Sequence, residues 1–268
     1  MATFLFWNIN RKPLSARIAR LAAGNAVDVV IVAECAVPSQ EMIDAFTALG
    51  LDGFSAVTSL AGSLRVFHKT NWVWDNQSDF ENWQVFRVRG KPFQKALIVV
   101  AHLRSKLRAN PADQESHAIN LVKTIRLWEQ RLNIDRTIVV GDFNMNPFER
   151  GLTGARELHA VMTRTKARDC TRQFDNEEFP FFYNPMWSLF GDRTHGPAGT
   201  YYAGPDGAVS YFWEMFDQVL LRPSLMDGLE DLRILDHDGV QSLLTKNGLP
   251  DKENGSDHLP ILFRLSMT

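Results

Sequence analysis

Apolar positions along the chain alternate between two periods, and each change marks an element. Phe4 to Ile9 is an apolar run that predicts a strand. Pro13 suits the first turn of a helix whose Leu14, Ile18 and Leu21 share one face, closed by Gly24-Asn25. Asp28 to Ala33 is nearly all β-branched, as expected of a strand buried on both faces, and it stops at Glu34. A second helix follows from Pro38, with Met42, Phe46 and Leu49 at helical spacing and Gly50 as its stop.

From Phe54 to Leu103 the short runs Phe54 to Leu60, Leu64 to His68, Trp83 to Val88 and Ala96 to Ala101 predict close-set antiparallel strands. Asn110-Pro111-Ala112-Asp113 has the order N-cap, first-turn proline and first-turn acid. The long helix it opens carries Ala118, Leu121, Val122, Ile125 and Trp128 on one face. The run Thr137 to Val140 then stops at Gly141-Asp142-Phe143-Asn144, reading as a buried strand that delivers a carboxylate and an amide to its exposed end. Between Gln173 and Trp213 the periodicity disappears while aromatics accumulate, so a long functional or self-packed loop is expected. Glu214 to Leu221 restores a strand with Asp217 inside it, and Ser256-Asp257-His258 precedes a last apolar run, Leu259 to Phe263.

Composition narrows the function classes. The chain has 268 residues, 45% of them hydrophobic and 22% charged, which suits a soluble globular protein with a substantial core. No internal repeat or linker is visible, so 1–268 is read as a single domain. A net charge of −2 supplies no bulk attraction to nucleic acid, so such a substrate needs a local basic rim and a metal ion. Arg104, Lys106 and Arg108, or Arg11 and Lys12, are candidates for that rim or a solvated face. The two cysteines, Cys35 and Cys170, lack metal or redox spacing and fit a reducing compartment. No signal-peptide pattern and no window of about twenty apolar residues is present, so a cytoplasmic location is expected.

Polar groups collect where the strands stop: Asn8 and Asn10, Glu34, Asp142 with Asn144, and Asp257 with His258, with Asp217 and His102 nearby. Carboxylates and amides without a Cys/His cluster suit Mg²⁺ or Mn²⁺, which prefer oxygen ligands and retain water, and argue against zinc. Taken one at a time these are weak signals, since Gly-Asp-x-Asn is also good turn chemistry.

Their order is specific. Trp7-Asn8-Ile9-Asn10, Ala33-Glu34, Ala101-His102-Leu103, Gly141-Asp142-Phe143-Asn144, Phe216-Asp217-Gln218-Val219 and Ser256-Asp257-His258-Leu259-Pro260 resemble the motif set of the endonuclease/exonuclease/phosphatase superfamily over almost the whole chain. The resemblance implies the DNase I-like four-layer α/β sandwich, two packed mostly antiparallel sheets with helices on the outer faces. It implies a metal site at Glu34, with Asn8 positioning the ion or its waters and Asp257 completing it. It further implies that Asp142 and Asn144 orient the attacking water and hold a phosphate oxygen, and that His258 faces the scissile phosphate with Asp217 behind it. Either Asp142 or His258 takes the water's proton. His102 resembles a second histidine that protonates the leaving oxygen in some branches. Asn10 stands where many relatives carry aspartate, which favours one metal over two, and Asn10 and Arg104 are candidate substrate contacts.

The implied function is a Mg²⁺- or Mn²⁺-dependent phosphodiesterase acting on nucleic acid, DNA ahead of RNA. The alternatives are a phosphatase or phosphodiesterase for a small-molecule or lipid phosphate ester, and a retired enzyme that uses the same groove only for binding. Any catalytic reading requires Glu34, Asp142 and Asp257 to converge in one cleft.

Overall fold

The computed structural model describes residues 1–58, 62–69, 71–90, 94–106, 110–205 and 208–266. The first apolar run forms β1 (Ala2–Asn8), every residue of it buried. Helix α1 (Ser15–Gly24) returns the chain so that β2 (Val29–Ala33) lies parallel to β1, with Asn8 beside Ala33. The hand-over positions β1 and β2 to end at the same level, which sets Asn8 next to Glu34. Helix α2 (Ser39–Thr47) stops before Leu49, which is 46% exposed, so the expected core role for Leu49 is lost where the helix ends. β3 (Phe54–Ala56) and β4 (Arg65–Lys69) complete one flank, and the expected extension of β3 to Leu60 runs partly outside the described residues. With Ile261–Leu265 and Leu229–Ile234 on the other flank of β1, these strands form a six-stranded sheet.

The second sheet has seven strands. β5 (Val73–Asp79), β6 (Trp83–Gly90) and β7 (Gln94–His102) run antiparallel, and helix α3 (Pro111–Leu132) then carries the chain across to β8 (Thr137–Asp142), parallel to β7. Asp217–Leu221 pairs antiparallel with β8, followed by the short strands Phe182–Tyr183 and Ala160–Val161. Both sheets are mixed and mostly antiparallel, and few helices accompany them, a sheet-dominated α/β sandwich.

Side-chain alternation explains the layering. In β7, Ala96, Ile98 and Val100 belong to the core between the sheets, while Leu97, Val99 and Ala101 lie in a separate core with Ala118, Leu121, Val122 and Ile125 of α3. Each fully buried Leu, Ile or Val contributes about 1.5–3 kcal/mol. The start of α3 is fixed as its sequence implies: the Asn110 side chain accepts from the Asp113 N–H and the Asp113 carboxylate accepts from the Asn110 N–H.

Gly141 has a specific steric cause. A Cβ there would come within 1.9 Å of the Ala101 carbonyl oxygen, so only glycine lets β8 reach Asp142 in register with His102.

Two of the longer strands escaped the sequence reading. β5 is WDNQSD-like in its polarity and largely half-buried, an edge strand without an apolar face, and Leu229–Ile234 is polar for the same reason. The segment expected to lack regular structure contains a short hairpin, Thr171–Phe174 with Glu177–Pro180, and a two-residue pair, Tyr201–Tyr202 with Trp213–Glu214. Strands this short carry no readable period.

Candidate active site

The strand ends converge on one cleft. Asn8, at the end of β1, donates from Nδ2 to Asp142 Oδ2 at 2.9 Å and to Glu34 Oε1 at 3.4 Å, while its Oδ1 accepts from the Asn10 N–H at 3.0 Å. That last contact fixes which way the amide faces, because a backbone N–H can only donate. The N–H₂ end of Asn8 therefore points at the two carboxylates. Glu34 and Asn144 both take left-handed backbone, φ 48° and 52°, at the turns immediately beyond β2 and β8. Such conformations cost energy for non-glycine residues and are held only where surrounding contacts over-determine them. For Asn144 those contacts are its N–H to Asp142 Oδ1 at 2.8 Å and its Nδ2 to the Leu103 carbonyl at 2.9 Å.

Two imidazoles flank Asp142. His102 Nε2 lies 3.6 Å from Glu34 Oε1 and 3.8 Å from Asp142 Oδ2. His258 Nε2 lies 3.8 Å from Asp142 Oδ2, and its Nδ1 contacts Asp217 Oδ2 at 2.8 Å. Burial works against charge on His258, but Asp217, Asp142 and Asp257 outweigh it and push its pKa up to about 10. Burial also raises Asp217, opposed by the imidazolium. A carboxylate on each side of the ring favours the ion pair over a neutral pair.

The backbone around His258 is tied down from several directions. Its carbonyl accepts from Trp7 Nε1 at 2.8 Å, and Ser256 Oγ donates to the Asn8 carbonyl at 2.7 Å. Thr200 links the two halves of the dyad: its Oγ1 accepts from the Asp217 N–H and its carbonyl accepts from the Leu259 N–H. Behind this segment, Arg17 donates to Asp238 at 2.7 Å and to the carbonyls of Ser242 and Asn254, so a buried ion pair anchors the loop that ends in Asp257-His258.

Glu34, His102, Asp142, Asn144, Asp257 and His258 all line a single cleft of about 460 Å³. A scan against family models matches residues 5–258 to the Endonuclease/Exonuclease/phosphatase family. The chain belongs to that family. Its fold agrees: an endonuclease/exonuclease/phosphatase family protein from Bacteroides thetaiotaomicron superposes with a TM-score of 0.62 at 12% identity, covering 100% of this chain and 98% of that one. The human Nocturnin catalytic domain gives 0.60 at 14% identity, covering 100% and 94%, and an AP endonuclease from Archaeoglobus fulgidus gives 0.57 at 13% identity, covering 99% of each chain. A search of curated proteins returns no match. Family membership supports a phosphoesterase, and identities this low carry the fold alone.

Within this endonuclease/exonuclease/phosphatase site, two carboxylate groupings compete for a metal. Asp142, Asp217 and His258 have ligand atoms within 4.8 Å of one another, close enough to hold an ion. All three are buried, however, and Asp217 is already bonded to the ring nitrogen it would have to release. Magnesium and manganese keep several waters and prefer oxygen ligands, which fits the more accessible carboxylates of Glu34 and Asp257 at the cleft wall better. Asn8, with its N–H₂ facing Glu34 and Asp142, aligns the oxygens of those two carboxylates.

Not every sequence candidate reaches the cleft. Asn10 is exposed and acts through its N–H on Asn8; Arg104 is exposed and outside the cleft lining. Arg108 lies outside the described residues. Arg11 Nε sits 3.7 Å from Glu34 Oε2 on a mostly exposed side chain, and Lys12 bonds the Lys252 carbonyl. Lys106 does line the cleft, 2.6 Å from Glu149 and over the Phe216 ring. Reading the sequence missed Glu214, Tyr211, Thr200 and the Arg17–Asp238 anchor. Only the aromatic density of 173–213 hinted at a wall here, and Tyr201 fulfils that hint, packing on Phe216 and on the His258 ring at 4.8 Å. Among the described residues no helix is long and apolar enough to cross a membrane.

Proposed function

We propose that the protein is a metal-dependent phosphodiesterase that hydrolyses nucleic-acid phosphodiester bonds, DNA ahead of RNA, in the cytoplasm. The observation that carries this reading is His258 held between Asp217 and Asp142 at the floor of a cleft whose wall bears Glu34 and Asp257. Glu34 and Asp257 would hold a Mg²⁺ or Mn²⁺ ion, which would supply Lewis-acid activation and charge neutralisation at the phosphate. The remaining steps belong to the protein. Asp217 fixes the ring so that Nε2 carries its proton toward the cleft, where it donates to a non-bridging phosphate oxygen. That leaves Asp142, aligned by Asn8 and by the Asn144 N–H, to orient the attacking water and take its proton. Asn144, with one amide hydrogen on the Leu103 carbonyl, offers the other to a phosphate oxygen. His102, beside Glu34 and Asp142, is the group available to protonate the leaving oxygen.

A second reading has its own support. Among the described residues Lys106 is the one lysine or arginine lining the cleft, sparse for a polyanion and sufficient for a small phosphate ester. The test is a panel of labelled DNA, RNA and small phosphate esters incubated with Mg²⁺ and with chelator, using wild type and His258→Ala. The lead reading expects chelator-sensitive cleavage of oligonucleotides that His258→Ala abolishes. Turnover of small esters alone selects the second reading, and equal cleavage by both proteins removes His258 from the mechanism.

A further inference from the structure

Beyond the cleft, the surface carries rings that the chemistry does not use. Phe148 and Tyr211 are 36% and 52% exposed, with ring centroids 5.2 Å apart in an edge-on arrangement. Trp187, half-buried, lies 6.3 Å from Phe148, and Phe190 stacks on Phe148 at 6.1 Å. Tyr211 and Lys106 line both the catalytic cleft and an adjoining depression that contains Phe148. Trp187 in turn lines a further depression with Lys166, and Arg164 begins the short helix beside it. A row of rings therefore leads from the cleft over Tyr211 and Phe148 to Trp187, with Lys106, paired with Glu149, at its near end and Arg164 and Lys166, paired with Asp227 and Asp169, at its far end.

Exposed apolar rings adjoining a catalytic cleft and bordered by ion-paired lysine and arginine, whose carboxylate partners a phosphate can replace, call for a ligand. Stacking on aromatic side chains is available to any nucleobase whose face is free, whereas bases inside a duplex have both faces occupied. The chain's net charge of −2 makes the broad phosphate neutralisation that duplex binding relies on unavailable in bulk. Rings with a few flanking cations instead suit a flexible single strand, whose bases stack while its phosphates meet lysine and arginine.

We infer that Tyr211, Phe148 and Trp187 form a stacking track for single-stranded nucleic acid leading into the catalytic cleft, so that single strands or frayed ends are the preferred substrate. This rests on the nucleic-acid reading above and adds the form of its substrate. The test uses the intact protein and a fluorescein-labelled oligothymidylate twelve nucleotides long, against a duplex of equal length, with binding followed by anisotropy in chelator. Hydrolysis of bis(4-nitrophenyl) phosphate with Mn²⁺ is measured in parallel.

Wild type is expected to bind the single strand about tenfold or more tightly than the duplex. Phe148→Ala and Tyr211→Ala are each expected to weaken single-strand binding on the order of tenfold, the range reported for loss of one base stack. Lys166→Ala, at an exposed position outside the cleft lining, should weaken it several-fold and make binding less salt-sensitive. Phe148→Ala and Lys166→Ala should leave ester hydrolysis unchanged, which also verifies folding. Equal affinity for single strand and duplex, or variants that bind like wild type, overturns the track. Absence of oligonucleotide binding with ester hydrolysis intact also overturns it and leaves the aromatic face to a protein partner. Loss of ester hydrolysis in wild type counts against the catalytic reading instead, whatever the anisotropy shows.

Discussion

The two walls of the cleft are built differently. One wall consists of groups at the ends of paired strands: Asn8 on β1, Glu34 just past β2, His102 and Asp142 in register across β7 and β8, and Asp217 opposite Asp142 on the neighbouring strand. The other consists of loop residues, Tyr201, Tyr211, Lys106 and Glu214, joined to the sheets through short pairs and side-chain contacts such as Asn146 with Glu214. Strand registers fix positions to within fractions of an ångström because a slip would turn every side chain to the wrong face. Loops tolerate change in sequence and length. The contrast teaches that chemistry sits on the rigid wall and substrate choice on the variable one.

Substitutions on the two walls should therefore fail in different ways. The largest effect is expected at Asp142 on the rigid wall and at His258, held against it by Asp217: Asp142→Asn or His258→Ala should lower kcat by about 10²–10⁴ with KM little changed, as loss of a proton acceptor or an oxyanion donor does. Steady-state kinetics on a small phosphodiester checks this, and a change confined to KM would break the contrast.

Next in size is the anchor behind His258. Asp238→Ala leaves the buried Arg17 guanidinium without its carboxylate and should cost about 3–5 kcal/mol of stability, read by chemical denaturation. The pH dependence has a definite sign. Burial works to raise the Asp238 carboxyl, but hydrogen bonds from Arg20, Arg17 and the N–H groups of Gln241 and Val240 overcome it and hold its pKa below the usual range. Its stabilisation is thus present above an unfolded value of about 3.9 and is lost as pH falls through the lower folded value. Wild type should lead Asp238→Asn at pH 7, and the gap should shrink below pH 4. A gap independent of pH would remove the charge from the explanation.

Gly141→Ala sits between the two in kind, since it touches no reacting group. The close Ala101 carbonyl should force β8 away from β7, with a loss of about 1–3 kcal/mol or more and a fall in kcat from the displaced Asp142. Normal stability and activity would mean that the register of β8 against β7 is not what delivers Asp142. The smallest effect is expected on the loop wall: Tyr201→Phe should change turnover of a small ester by less than about twofold, because its ring, rather than its hydroxyl, covers His258.

This division also decides what the sequence could reveal. Thr137–Asp142 and Val29–Ala33 are buried on both faces, so their apolar runs stand out and the polar residue that ends each run is conspicuous. Asn8, Glu34 and Asp142 are legible for that reason, whereas Asp217 and His258 are legible only through the ordered motif set that their segments resemble. Polar edge strands such as Val73–Asp79 bury no complete face and leave no pattern. Thr200 and Arg17 act through backbone atoms far away in sequence, Leu259 and Ser242 among them, and no local motif signals such a partnership. Arg17 in particular is a charged residue on a helix, with no local pattern to mark it, yet it is buried at 6% exposure.

The most direct test of the account is anomalous diffraction from crystals of wild type and Glu34→Gln soaked in Mn²⁺. One manganese peak bridging the carboxylates of Glu34 and Asp257 in wild type, absent from Glu34→Gln, is the predicted result. A peak seated among Asp142, Asp217 and His258, with the His258–Asp217 contact broken, would contradict it.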